Sequence, residues 1–217
     1  MKLAALVAFA CVVCAMATGS SATYGVDVSD IVSEADWNCL SDNGYDFAIV
    51  RAGRSTGTVD LNAAQTIINA RNAGIPYVDA YIFPCYSCGN PADQIRNMVN
   101  NLRNAGASFG MIWLDIEGSG WSSSTSANID FIQSMAQELI NLGVSFGTYT
   151  SYSQWSPITG NANINALSSR PLWYAHYDNE PSFDDFSSFG GWSKPAIKQY
   201  DGDATACSVG VDKNWYP

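Results

Sequence analysis

Three segments of this chain end in the same way. Asn72-Ala73-Gly74, Asn104-Ala105-Gly106 and Asn141-Leu142-Gly143 each close an amphipathic stretch, and each is followed by a short apolar run. Glycine fits the left-handed position just past a helix C-terminus, so each tripeptide marks a helix exit that feeds a strand. The helices behind these exits are expected over residues 61–73, from Asn90 as N-cap with Pro91 at the first helical position, and over 125–142. Strands are expected over 24–28, 47–52, 75–83, 111–117 and 144–150. Strands that alternate with helices imply a mostly parallel sheet.

The last third changes character. Residues 172–177, 196–200 and 209–212 read as strands, but Ser, Gly and Asp fill the connections, and only a weak helical turn is expected at 152–155. About eight strands with three to five helices give an α/β fold. The simplest closure is an irregular (β/α) barrel, TIM-barrel-like, with fewer helices than strands. An open doubly wound sheet is the competing topology. No G-x-G-x-x-G follows an early strand, which argues against its dinucleotide-binding form.

Residues 1–17 read as a secretory leader. Lys2 is the positive n-region, residues 3–16 are almost wholly apolar, and Ala15-Met16-Ala17 is a small-x-small cleavage pattern. The expected organisation is a leader over 1–17 and one barrel domain over 18–217. The apolar run is short for a membrane span, so no membrane anchor is expected after cleavage. Four of the six cysteines remain in the mature chain: Cys39, Cys85, Cys88 and Cys207. An exported chain with four cysteines is expected to form two disulfides, with three possible connectivities. The favoured pairing is Cys85–Cys88 with Cys39–Cys207, the second tying an early helix to the C-terminal segment. No N-x-[ST] sequon occurs.

Composition then narrows the chemistry. Ten basic residues stand against twenty acidic ones, a net charge of −10 that argues against a nucleic-acid partner. The one histidine, His176, rules out a multi-histidine zinc site and leaves acid–base work to carboxylates. No G-x-S-x-G, Walker loop or EF-hand loop is present, and no metal or cofactor is expected.

The sharpest pattern is Met111-Ile112-Trp113-Leu114-Asp115-Ile116-Glu117. Side chains alternate along a strand, so Asp115 and Glu117 share a face, about 6.6 Å apart along the backbone. Two close acids resist joint ionisation, so one can stay charged while the other holds a proton, as acid–base work on a glycosidic bond requires. Asp27 and Asp212 also fall at expected strand ends. If the first and last strands are neighbours, these two acids approach each other at the C-terminal mouth of the barrel, where such folds do their chemistry. Seven Trp and eleven Tyr supply surfaces for the apolar faces of sugar rings. Tyr81, Tyr149, Trp173 and Tyr177 lie near strand ends, Gln199 offers an amide, and Trp113 belongs to the core.

Taken in order, the chain resembles glycoside hydrolase family 25, the Chalaropsis-type lysozymes. The matching pieces are Gly25-Val26-Asp27-Val28-Ser29, Phe47-Ala48-Ile49-Val50-Arg51-Ala52-Gly53, Tyr81-Ile82-Phe83, Leu114-Asp115-Ile116-Glu117, Gly147-Thr148-Tyr149-Thr150, Leu172-Trp173-Tyr174-Ala175, Gln199-Tyr200 and Gly210-Val211-Asp212. The resemblance implies an irregular barrel and retaining hydrolysis of the β-1,4 bond between N-acetylmuramic acid and N-acetylglucosamine in bacterial peptidoglycan. By matching position, Glu117 is the general acid/base. Asp115 orients and stabilises, and assists the substrate's 2-acetamido group. Asp27 and Asp212 are supporting acids, and Tyr81, Tyr149, Trp173 and Gln199 line the sugar groove. The family often has Tyr-His-Phe where Tyr81-Ile82-Phe83 stands here, and Trp-Gln-Tyr where Lys198-Gln199-Tyr200 stands. Both departures are expected to alter the groove floor.

The expected protein is thus a lysozyme, monomeric by default, that is secreted or held in a lysosomal or phagosomal lumen. The rivals are a chitinase-like glycosidase, a non-catalytic glycan-binding barrel and a Cys85-x-x-Cys88 redox protein.

Overall fold

The computed structural model describes residues 22–217. The leader expected over residues 1–17 lies outside the described residues. Eight strands close into a barrel in sequence order. They are β1 (Thr23–Val28), β2 (Tyr45–Gly53), β3 (Tyr77–Ile82), β4 (Ile112–Asp115), β5 (Phe146–Thr150), β6 (Leu172–Ala175), β7 (Ile197–Ala206) and β8 (Val209–Tyr216). Six helices accompany them among the described residues: α1 (Glu34–Asp42), α2 (Ala63–Asn72), α3 (Pro91–Asn104), α4 (Thr125–Asn141), α5 (Tyr152–Thr159) and the single turn α6 (Asn165–Ser168). No helix follows β6. Residues 176–196 cross to β7 as a loop, so the helical layer thins where the sequence turns Ser-, Gly- and Asp-rich.

The three Asn-x-Gly exits share one geometry. Gly74, Gly106 and Gly143 adopt φ of +84°, +74° and +64°. The amide after each returns to the carbonyl five residues back: Ile75 to Ala70, Ala107 to Leu102 and Val144 to Leu139. These bonds close the helix end and aim the chain into the next strand. Asn90 behaves differently from the expectation. It occupies the N-cap of α3 but at φ 48°, and its side chain makes no cap bond. Gln94 does the local bonding, accepting from the Cys85 amide and donating to the carbonyls of Cys85 and Gly89.

Alternation along the strands sorts side chains into two cores. Val26, Val50, Val78, Ala80, Leu114 and their like face outward against Ile67, Ile95, Met98, Met135 and Leu139 of the helices. Phe47, Ile49, Trp113, Tyr149, Trp173 and Ile197 fill the barrel itself. Trp113 is core, as expected; its indole donates to Asp79 at 2.9 Å. Gly147 makes room for it. A Cβ there would run into the Trp113 ring and lie 2.7 Å from the Pro171 carbonyl oxygen.

β1 to β7 run parallel, whereas β8 is antiparallel to both of its neighbours. A two-residue turn at Cys207 and Ser208, both at positive φ, reverses the chain between β7 and β8. The placement of Asp212 is corrected accordingly. It lies in the first half of β8, and that half reaches the mouth because the strand is reversed. The favoured disulfides are formed: Cys39–Cys207 spans 168 residues and ties α1 to this turn, and Cys85–Cys88 closes a short loop after β3.

Gly147→Ala is expected to cost about 1–3 kcal/mol of stability by overpacking. A denaturant midpoint would register the loss, because the Pro171 backbone cannot swing aside as a side-chain tip can.

Candidate active site

Barrel closure brings the distant acids together. Asp27 of β1 and Asp212 of β8 are register partners across the seam. Gln199 of β7 donates through Nε2 to Asp27 Oδ2 at 2.8 Å and to Asp212 Oδ2 at 3.1 Å. Its Oε1 accepts from Tyr149 Oη at 2.6 Å and from Tyr177 Oη at 2.9 Å. Asn214, inward-facing on β8, donates to Asp27 Oδ2 at 2.7 Å and accepts from the Trp173 indole at 2.7 Å. One amide thus orders two tyrosines and two acids.

Asp115 is the last residue of β4 and is buried; its Oδ1 has no hydrogen-bond partner. Glu117 lies two residues beyond the strand end, not within it as expected, and is half-buried. Its segment is pinned on both sides. The Ile116 amide donates to the Tyr149 carbonyl, the Gly118 amide to Gln154 Oε1, and the Trp121 indole to the Glu117 carbonyl. A concavity of about 310 Å³ opens over Asp27, Tyr81 and Asp212.

All four acids titrate above their ordinary values. Burial is the largest cause for each. The charge of Asp212 adds to it at Asp27 and Glu117, that of Glu117 at Asp115, and those of Asp203 and Asp201 at Asp212. Bonds from Asn214 and Gln199 pull Asp27 partly back. Asp115 is pushed well up, with no hydrogen bond to offset its desolvation.

The four expected aromatic and amide residues stand at different depths. Tyr81 is partly open at the mouth. Tyr149 and Gln199 are buried and bonded to each other. Trp173 is 1% exposed, with its ring 4.5 Å from that of Tyr149 and 6.1 Å from that of Tyr81. Tyr177, bonded to the same amide, is 56% exposed, more than any of them. Asn214 escaped the sequence reading altogether. Strand parity from Asp212 places it inward, but it lies beyond the strand expected over 209–212, and β8 runs on to Tyr216.

The two family departures lie outside the groove, contrary to expectation. Ile82 packs in the barrel–helix layer, opposite in parity to Tyr81. Lys198 is fully buried on the outer face of β7, and its Nζ donates to Asp178 at 2.7 Å and Asp185 at 2.8 Å. His176 Nδ1 lies 2.6 Å from Asp185. His176, Asp178 and Asp185 converge closely enough to hold a cation, but the Lys198 ammonium already sits on both carboxylates. Partial desolvation would raise Asp185; the bonds from Lys198, Tyr174 and His176 overcome it and bring the acid to about 2.

These shifts set a stability profile. The folded mouth holds protons that the unfolded chain releases above about pH 4, so stability falls as pH rises from there. Asp178 and Asp185 are shifted down, so their contribution is lost as pH falls below about 4 toward 2. The melting temperature should therefore peak at about pH 4–5. Asp115→Asn should melt higher than wild type at neutral pH and equally at acidic pH, which a paired thermal series would reveal.

The residues match known proteins over most of the chain. A family model described as Lysozyme-like protein 1 matches residues 18–200. The chain is 51% identical over 197 residues to "Probable GH family 25 lysozyme 2" of Dictyostelium discoideum, covering 91% of this chain and 92% of that one. It is 37% identical over 201 residues to "Lysozyme-like protein 5" of Caenorhabditis elegans, covering 91% and 93%. Among solved structures, it resembles a muramidase from Acremonium alcalophilum with a TM-score of 0.73 at 23% identity, over 90% of this chain and 93% of that one. A family GH25 lysozyme from Aspergillus fumigatus gives 0.73 at 19% identity, over 91% and 94%. Sequence identity over nine-tenths of both chains, on a closed eight-stranded barrel, makes this protein a glycoside hydrolase and a member of the family 25 lysozymes.

Proposed function

We propose that the chain is a secreted muramidase that cuts the β-1,4 bond between N-acetylmuramic acid and N-acetylglucosamine in bacterial peptidoglycan. Its leader spans residues 1–17 and one barrel domain spans 18–217. The observation that carries this reading is the pairing of a half-buried Glu117 with a fully buried Asp115 at the mouth, both held above their ordinary titration range. Two disulfides support export, and no helix among the described residues is long and apolar enough to cross a membrane.

The chemistry follows from depth. Glu117 reaches the opening and keeps its proton to a higher pH than a free glutamate, as a donor to the glycosidic oxygen must. Asp115 sits deeper with an unfilled acceptor oxygen. In a bound sugar, that oxygen would take the 2-acetamido N–H and turn the acetamido oxygen toward C1. As the acetamido oxygen bonds to C1, the C1–O bond to the leaving sugar breaks, and that oxygen takes the Glu117 proton. Water, deprotonated by Glu117, then attacks C1 and reopens the ring. Two inversions give retention. The Asp212 carboxylate, held by Gln199, supplies a negative charge that favours a protonated Glu117.

Digestion of purified peptidoglycan should release new reducing-end muramic acid, identified by mass spectrometry, and Glu117→Gln should lose about a hundredfold or more in rate. No release from peptidoglycan at any pH, with turnover of chitin-type polymers, would indicate the chitinase-like rival. Binding without turnover would indicate the binding-only one.

Charge sets the working conditions. The chain carries −10, and losing Lys2 with the leader takes it to −11, so it is repelled by anionic walls at neutral pH and low salt. Activity on whole walls should rise as pH falls from about 7 to 5, and salt should restore part of it at neutral pH. A profile peaking above neutrality at low salt would contradict an acidic lumen as the working place.

A further inference from the structure

The mouth has one cationic wall. Arg51, at the end of β2, shares the inward parity of Ile49 and is the register partner of Tyr81. Its guanidinium donates to Asp60 Oδ2 and to the Ser29 carbonyl oxygen. Arg54, three residues on, reaches the same Asp60 oxygen through Nε at 3.1 Å. Two guanidiniums therefore meet one buried carboxylate, and a full positive charge is left over. Arg54 is 48% exposed, and its two terminal nitrogens meet no acceptor among the described residues. A concavity of about 270 Å³ lies against Arg51, Arg54, Thr56, Tyr81 and Phe83. Tyr81 is shared with the concavity over Asp27 and Asp212, and Ser29, which holds Arg51, belongs to that one too. The two depressions share the Tyr81 side chain as a wall.

The arginine-bearing loop is also held in place. The Arg54 amide donates to the Thr58 carbonyl and the Gly57 amide to the Arg54 carbonyl, making a tight hairpin. The Cys85–Cys88 loop packs on its far side: Cys88 Sγ lies 3.5 Å from the Thr56 oxygen, and a Cβ on Gly57 would come within 2.9 Å of that sulfur. A fixed, half-exposed guanidinium with a free fork is suited to a carboxylate. In a chain with twice as many acids as bases, placing it at the mouth selects an anionic ligand where the rest of the surface repels one.

We propose that Arg54, backed by Arg51, binds a carboxylate on the lactyl branch of the muramic acid residue and so discriminates muramyl glycans from neutral N-acetylglucosamine polymers. The proposal rests on the muramidase reading, to which it adds a specificity-determining residue. The lactyl carboxylate itself and the first residues of an attached peptide carry the same chemistry.

Three soluble disaccharides separate the cases: N-acetylglucosaminyl-N-acetylmuramic acid, the same with a dipeptide on the lactyl group, and chitobiose. Binding is read by NMR titration on wild type, Arg54→Gln and Arg54→Lys. Arg54→Gln should weaken binding of the anionic disaccharides about five- to tenfold and leave chitobiose unchanged, while Arg54→Lys keeps part of the preference. The dipeptide is attached through the lactyl carboxyl, which becomes an amide. Loss on the free disaccharide alone therefore assigns the lactyl carboxylate, loss on the dipeptide probe alone assigns a peptide carboxylate, and loss on both assigns a subsite that takes either carboxylate of the branch. In wild type, the preference for the anionic probes should shrink from about 0.02 to about 0.5 M salt, a readout that does not depend on any variant folding. Equal weakening on all three probes, no weakening on any, or a wild-type preference indifferent to salt would overturn the proposal. If wild type cuts no peptidoglycan yet prefers the anionic probes through Arg54, the muramidase reading falls and the subsite stands. If it cuts peptidoglycan and Arg54→Gln binds as wild type does, only the subsite falls.

Discussion

The carboxamide of Gln199 is the joint on which the mouth turns. A carboxylate as deeply buried as Asp27 is costly unless donors surround it. Gln199 and Asn214 supply those donors from β7 and β8, the two strands that close the ring onto β1. The bonds that make the buried acid tolerable are therefore also bonds across the seam of the barrel. The other end of the same amide accepts from Tyr149 and Tyr177, so the seam reaches the aromatic wall. Trp173, through Asn214, anchors the network from below.

The site is assembled from elements of unequal rigidity. β4 delivers Asp115 as its final residue, paired with Tyr149 of β5 one position beyond the end of the β3 ladder at Leu114. Glu117 stands just past that ladder, its neighbours held by the bond from the Ile116 amide to β5 and by that from the Gly118 amide to Gln154 of α5. Under the proposed mechanism, the group that gives and takes a proton sits on the less constrained segment, and the group that only orients sits on the strand. Burial separates them in the same order, with Asp115 buried and Glu117 half-buried, and it raises both.

Much of this was legible in the residues, and the misses have local reasons. The Asn-x-Gly exits declared the βα repeat because helix termination is a short-range event with a residue-specific cost. The approach of Asp27 and Asp212 followed from ring closure alone. The reversal of β8 did not, because the turn uses Cys207 and Ser208 at positive φ where glycine or asparagine would have announced it. That reversal hid Asn214. Lys198 looked like a change to the groove floor because its partners, Asp178 and Asp185, lie 20 and 13 positions away in a loop with no periodicity to place them. The resemblance implies Gln199 and Tyr149 as groove residues, yet their polar atoms are taken up by each other and by Tyr177, Asp27 and Asp212.

The Cys39–Cys207 bridge embraces all but the margins of the barrel. A single backbone cut in any loop between these cysteines leaves two pieces still joined by a covalent bond, and the pieces remain neighbours through every strand pairing the cut did not touch. The loop connecting β6 to β7, long and without a helix of its own, is an obvious place for such a cut. A nicked molecule of this kind need not dissociate, so the barrel is built to outlast limited proteolysis that would separate an unbridged chain into fragments.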